Sequence, residues 1–293
     1  LISMDELLAG SAVSVTEGKA LTEAIDQGDD LTKSLLLGDT HDEQNAQCVR
    51  HLHPNFANNE SHGWLYYNGQ RWGGDDAESK LDRAIVDTMQ ERIRAAIAEG
   101  ADEKGKLYHD DIVKGCRPNA GIVKNAKYIL SSLVTVSATE FDRSPDLLAC
   151  QNGVIDLRTG ELHPHSPEYL LSHCVNAEYE LAADCSQWVS WLTEAVGADM
   201  ANWLQMAVGY SLTGHTKEEV LFYLYGPPRS GKGTFTEALL ALMGSPLAKE
   251  VEFSTFTAQR EGDNQNFDLA PLKPCRIVFA SESNSYERFD EAK

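Results

Sequence analysis

The chain has 293 residues, with 45 acidic against 25 basic side chains and a formal net charge of −20. That balance excludes a protein that coats nucleic acid by bulk charge, though not one that touches a strand with a few residues. The length suits two domains, 42% hydrophobic content is enough for globular cores, and no apolar run approaches the ~18 residues a membrane helix needs.

The N-terminus, LISMDELLAGSAVSV, has neither the basic start nor the apolar segment of a secretory signal. Residues 1–43 carry ten Asp or Glu against Lys19 and Lys33. Residues 1–40 therefore read as an acidic, solvated leader of short exposed helices or unstructured chain. The six cysteines, Cys48, Cys116, Cys150, Cys174, Cys185 and Cys275, show no metal-type pairing. They fit buried, reduced thiols and a cytoplasmic setting.

Residues 41–172 read as a mixed α+β module. GWLYYNGQRWGGDD at 63–76 is an aromatic run, an Asn68-Gly69 turn and a second aromatic, the signature of a β-hairpin. Asp75 or Asp76 then starts a helix whose apolar face is Leu81, Ile85, Met89, Ile93 and Ile97, with Gly100 after its last turn. A second helix runs through AGIVKNAKYILSSLVTV. Lys114, Arg117, Lys124 and Lys127 make this the most basic neighbourhood; they are either a phosphate-facing group or a solvated face with ion pairs. In LLACQNGVIDLRTGELHPHSPEYLLSHC at 147–174, the turn dipeptides Asn152-Gly153 and Thr159-Gly160 predict a small meander. His163 and His165, with His173 further on, lack the companions of a metal site and read as surface histidines.

Residues 173–216 read as a helical connector. Trp188, Trp191, Leu192 and Val196 define one stripe; Trp203, Leu204, Met206, Ala207 and Tyr210 continue it beyond Gly197. Such a stripe is core or subunit interface.

Residues 217–293 carry the chemistry. VLFYLY at 220–225 is a continuous apolar run, as in a buried parallel strand. Gly226, Pro227, Pro228, Arg229, Ser230, Gly231 and Lys232 follow, then a helix ending at Gly244. Strand, Gly-bounded loop with Lys, and helix make the context of a P-loop. Its amides and the positive end of the helix would face phosphate oxygens, and Lys232 would reach the β- and γ-phosphates of ATP. The strict pattern fails at Gly233, which has no hydroxyl for Mg2+; Thr234 stands one position late and would reach the metal or the α-phosphate. A second strand, Ile277 to Ala280 in CRIVFASES, ends at Glu282, which would help hold Mg2+ and polarise an attacking water.

In order along the chain, NGVIDLRTGEL, WLQMAVGYSLTG, LFYLYGPPRSGKGTF, FDLAPLKPCRIVFASES and RFDEAK resemble the C-terminal part of phage and plasmid primase–helicases over roughly residues 40 to 293. The stretch from GWLYYNGQRW to NGVIDL looks like the poxvirus-type domain that precedes the superfamily 3 helicase in that family. The resemblance implies an α/β chain: a helicase-associated α+β domain, a helical connector, then the first half of an AAA+ three-layer αβα domain. It also implies ATP and Mg2+ as cofactors and single-stranded or forked DNA as partner. A hexameric ring acting in DNA replication inside a bacterial host follows from it too, as does tolerance of Gly233 after the loop lysine.

The polymerising primase domain has no counterpart in residues 1–40. The sensor asparagine, arginine finger and pore loop of the family would fall beyond Lys293. On that reading nucleotide binding survives weakly, and hydrolysis and unwinding are lost for want of a trans arginine. Two other readings stand beside it. GPPRSGKGT also resembles the loop of adenylate kinases, which place it at the chain start, and a replication or defence adaptor with a vestigial ATPase part would bind DNA or protein without catalysis.

Overall fold

The computed structural model describes residues 30–256 and 269–281. The chain divides into two compact units, Leu1–Tyr66 with Gly73–Ala138, and Tyr67–Trp72 with Thr139–Lys293.

In the first unit, α1 (Asp30–Leu36) and α2 (Asp42–Leu52) precede β1 (Phe56–Asn59) and β2 (Gly63–Tyr67), which pair antiparallel with Phe56 opposite Tyr66. The long α3 (Ala77–Ala98) begins after Asp76, where expected, and Leu81, Ile85 and Met89 on its apolar face are fully buried. The short α4 (Asp110–Gly115) and α5 (Ala120–Leu133) complete the unit. Asn119 caps α5 by accepting the Ile122 N–H at 3.1 Å. The spacing of apolar residues every three or four positions gives each helix one buried face. Ala46 and Val49 of α2, Leu81 and Ile85 of α3, and Ala126 and Leu130 of α5 join Phe56 in one cluster; Met89, Ala96, Ile112, Val113 and Cys116 form another.

One charge lies inside this core. Arg92 of α3 is fully buried and donates to the carbonyls of Leu36 (3.0 Å), Gly38 (2.7 Å) and Asp39, and to Asn45 Oδ1. Leu36 is the last residue of α1, so the guanidinium sits at the negative end of a helix and gathers carbonyls that would otherwise lack donors. Its burial costs desolvation, which these hydrogen bonds offset. Three residues after Met89 and seven after Ile85, Arg92 lies on the apolar face of α3 by helical spacing, but its charge reads as that of a surface residue.

Two of the four side chains of the basic neighbourhood form ion pairs. Lys127 meets Glu78 at 3.0 Å and Asp82 at 2.6 Å, and Lys114 pairs with Asp110 one turn earlier on α4. Arg117 and Lys124 are exposed. Lys114 and Lys127 thus take the ion-paired use, while Arg117 and Lys124 stay open to either.

The second unit opens with the tip of the hairpin. The Asn68-Gly69 turn closes with Asn68 N–H donating to Arg71 O at 3.1 Å, and Gly69 takes φ 97°, a left-handed value that favours glycine. The chain then enters β3 (Trp72–Gly73). Trp72 anchors the tip: its backbone N–H donates to Leu171 O and its Nε1 to Pro167 O, both at 2.9 Å. The meander forms as β4 (Leu147–Cys150), β5 (Gly153–Asp156) and β6 (Leu162–His163), antiparallel throughout. Two helices follow, α6 (Ser186–Val196) and α7 (Ala198–Leu212), broken at Gly197. Then come α8 (Lys232–Met243), β7 (Ala248–Glu252) and β8 (Ile277–Ser281). Leu148, Cys150 and Ile155 of the meander share a core with Val175, Met243, Leu247 and Ala248, so meander, α8 and β7 are one packed body.

Three expectations need correction. Residues 220–225 form no strand: β7 and β8 make a two-stranded parallel sheet, Ala248 opposite Ile277, and the apolar run lies outside it. A parallel strand is buried only with sheet neighbours and covered faces. Without a ladder, Val220, Leu221, Tyr223 and Tyr225 are more than half exposed. Among the described residues of 217–293, the expected three-layer αβα arrangement is represented by β7 and β8 beside α8, and no sequence signal announces β7. The α7 stripe also splits. At ~100° per residue, Trp203 and Met206 share a direction that Leu204 does not. Leu204 and Ala201 are buried, whereas Trp203 and Met206 are 43% and 67% exposed.

Among the described residues no helix is long and apolar enough to cross a membrane, and no group of three or more His, Cys, Asp or Glu could hold a metal ion. Glu282 and most of the acidic leader lie outside the described residues.

Replacing Arg92 with Met should destabilise the chain by about 3–5 kcal/mol, because the buried Leu36 carbonyl and Asn45 Oδ1 lose their guanidinium donor; an unchanged urea midpoint would refute the role given to it. The thiols offer a second check. All six are free, and burial pushes the Cys48 and Cys150 thiols up to about 11. At pH 8 they stay protonated and unreactive. Iodoacetamide followed by peptide mass mapping should label exposed Cys185 quickly, and Cys48 and Cys150 only after unfolding.

Candidate nucleotide site

The loop 226–231 leads straight into α8, which starts at Lys232. Gly231, the residue before the helix, has φ 88° and no side chain to cap the first turn. The first amides of an α-helix have no partner within the helix. Those of Lys232, Gly233 and Thr234 are therefore at the positive end of a twelve-residue helix with no capping side chain. The first intrahelical bond is Phe235 N–H to Gly231 O at 3.0 Å.

Lys232 folds back into its own loop. Its ammonium donates to Gly226 O at 2.9 Å, Pro227 O at 3.1 Å and Ser230 Oγ at 3.2 Å. The interior is narrow: a Cβ on Gly226 would lie 3.2 Å from Ser230 Oγ and 4.0 Å from Lys232 Nζ. The loop thus gathers a cation, uncapped amides and glycine backbone around one small space. A polyphosphate fits that donor set, with its oxygens replacing the three that now hold the ammonium. Arg229 adopts φ 64° in the turn, a left-handed conformation unusual for a side chain of its size.

The loop is braced from behind by aromatic residues of α6. A Cβ on Gly231 would stand 3.1 Å from Trp191 Cζ2, so the indole lies against the loop backbone. Trp188 neighbours Trp191, ring centres 5.0 Å apart, and stacks on Phe235 of α8 at 6.1 Å and 16°. Leu192, Ala201, Leu204, Phe235 and Leu239 are the buried members of this cluster; Leu224 and Phe279 pack on it. Leu224 comes from the apolar run before the loop and Phe279 from β8, so both segments reach the same cluster as the start of α8.

The predicted residues divide accordingly. Gly226, Pro227, Ser230, Gly231 and Lys232 come together. Pro228 and Arg229 complete the turn, and Gly233 and Thr234 begin the exposed side of α8. Gly233 offers no side-chain oxygen to a metal, and Thr234 is exposed. β8 ends at Ser281, and Glu282, the candidate acid, is outside the described residues. The bracing role of Trp188 and Trp191 was not read from the sequence. Their helical spacing marked a buried face but carried no sign of which distant backbone that face would meet.

Residues 46–197 match the family described as D5 N terminal like. The chain belongs to the D5 N terminal like family. The match runs from α2 through α6 and ends ahead of the 226–234 loop. It supports the N-terminal module of a primase–helicase-type replication protein over that span. No curated protein matches the chain. In this D5 N terminal like chain the candidate loop therefore rests on its own geometry, and the indoles that brace it belong to the matched span.

Gly231→Ala should strain both the left-handed backbone and the Trp191 contact. A loss of about 1–2 kcal/mol in urea unfolding is expected, and a wild-type midpoint would show that the indole does not confine the loop.

Proposed function

We propose that this chain is the ATP-binding segment of a phage- or plasmid-type primase–helicase that acts on single-stranded or forked DNA during replication. One observation carries the reading: the Lys232 ammonium sits at the start of α8, held by oxygens of the 226–230 loop. Such a lysine is a stored donor. Carbonyl and hydroxyl oxygens hold it in place, and a phosphate oxygen, being anionic, competes for it with a stronger charge-assisted bond. The amides at the start of α8 add their dipoles to the same target. The family match ahead of the loop supports the replication lineage.

In this proposal Gly226 to Gly231 shape the backbone around the β-phosphate, Lys232 meets the β- and γ-phosphates, and Thr234 and Glu282 are the groups that would hold Mg2+. The metal, when bound, would neutralise charge developing on the transferring phosphoryl group. Trp188 and Trp191 exclude water from the back of the loop. A hexameric ring in a bacterial cytoplasm and ATP hydrolysis coupled to movement along DNA belong, in this proposal, to the whole primase–helicase, while the segment itself is proposed to bind ATP.

The exposed 220–225 run favours a second reading, a DNA- or protein-binding adaptor whose P-loop part is not catalytic. Residues 220–225 leave apolar side chains uncovered where the ATPase reading wants a sheet. The two readings part on one measurement. Adding Mg-ATP should change the emission of Trp191, which touches the loop, and Lys232→Ala should weaken the response at least about tenfold. ATP turnover with and without single-stranded DNA then separates binding from hydrolysis. An emission that ignores ATP, together with DNA binding unchanged in Lys232→Ala and Glu282→Gln, would establish the adaptor instead.

A further inference from the structure

A concavity lies in the second unit, lined by none of residues 226–234. It has a volume of about 410 Å3, within the roughly 300–1,000 Å3 range of small-molecule sites. Its walls come from β4, the turn after α7, and the segment that enters β8. In a chain of net charge −20, the ionisable lining is unusual: Arg143, Lys217, Lys273 and Arg276 stand against the single carboxylate Asp142.

That carboxylate is already engaged. Asp142 accepts from the Ser172 backbone N–H at 2.8 Å and from the Ser172 hydroxyl. Asp146, close by, is held by His215 Nε2 at 2.8 Å. Both act on the charge of Arg276 from a distance, yet its guanidinium donates instead to the carbonyls of Leu212 and of Leu147, the latter at 2.7 Å. Arg276 is thus a fixed cation in the wall, tied to backbone rather than to a carboxylate. On the rim, Arg143, Lys217 and Lys273 are exposed and make no ion pair among the described residues. His173 also lines the space; burial holds its imidazole below the ordinary value against the opposing pull of Asp142. Its Nδ1 is buried with no hydrogen-bond partner among the described residues.

We propose that this cavity binds a phosphate monoester. A compact dianion satisfies what the site lacks: negative charge between Arg276 and the rim cations, and acceptor oxygens for guanidinium and ammonium donors. Its size admits a nucleoside attached to that phosphate. The phosphate can come from a free nucleoside monophosphate or from the 5′ end of a nucleic-acid strand.

The test is a titration of the full chain with AMP by calorimetry. Saturable binding is expected, with adenosine failing to compete. Lys217→Gln combined with Lys273→Gln should weaken AMP binding about tenfold or more, whereas Lys232→Ala should leave it unchanged. If the double variant does not fold, the Lys217→Gln single variant replaces it, with a severalfold loss expected. A 5′-phosphorylated hexathymidylate that displaces AMP, where its 5′-hydroxyl counterpart does not, assigns the strand end. Failure of both to displace AMP assigns the free nucleotide. The proposal is overturned if AMP does not bind, if adenosine competes equally, or if a folded rim variant binds AMP as tightly as wild type.

Discussion

The contact on which the candidate site depends is an indole pressed against glycine backbone. Trp191 stands 3.1 Å from where a Gly231 Cβ would be, and Trp188 stacks on Phe235 one turn into α8. Together they set the direction in which α8 starts. Because α8 begins at Lys232, the same contact decides where the uncapped amides point and where the ammonium can reach. Large aromatic surfaces suit such bracing because they bury much apolar area with few rotatable bonds, so the cost of fixing them is low.

A similar logic operates in the first unit with a charged group in place of an indole. Arg92 reaches from α3 to the end of α1 and satisfies carbonyls on the chain leading to α2. Burial of a guanidinium is unfavourable by itself, and here backbone dipoles rather than a carboxylate offset it. Cys48 and Cys116 line the same interior, where burial raises both thiol pKa values.

The two cation-bearing places of the second unit differ in a way that matters for binding. At Lys232 the ammonium is satisfied by its own loop and must be drawn away by a ligand. In the cavity at Arg276 the cation is anchored by carbonyls and need not move. The first arrangement suits a ligand whose arrival reorganises the loop; the second suits a preformed receptor. That both occur in an acidic chain shows how little net charge says about local sites.

Local order was legible in the sequence because it depends on local physics. The Asn68-Gly69 turn needs positive φ, α3 needs an apolar residue every three or four positions, and the stretch from Gly226 into α8 has glycines where the backbone turns sharply. Each of these is written in neighbouring residues. The use of Lys127 in ion pairs, the fully buried Arg92 and the indoles behind Gly231 depend on partners far along the chain, and spacing, even where it marks a buried face, does not name those partners. Residues 220–225 show the limit most plainly: six apolar residues specify an extended, sticky segment, but whether it is a strand rests on having a neighbour to share its hydrogen bonds. The sequence by itself thus determined the hairpin, α3, α5 and α8, and the glycine-bounded turn that leads into α8. Only the tertiary structure decided which side chains brace that loop, which cations are already neutralised and which apolar run stays uncovered, because burial and pairing are properties of what comes together in space.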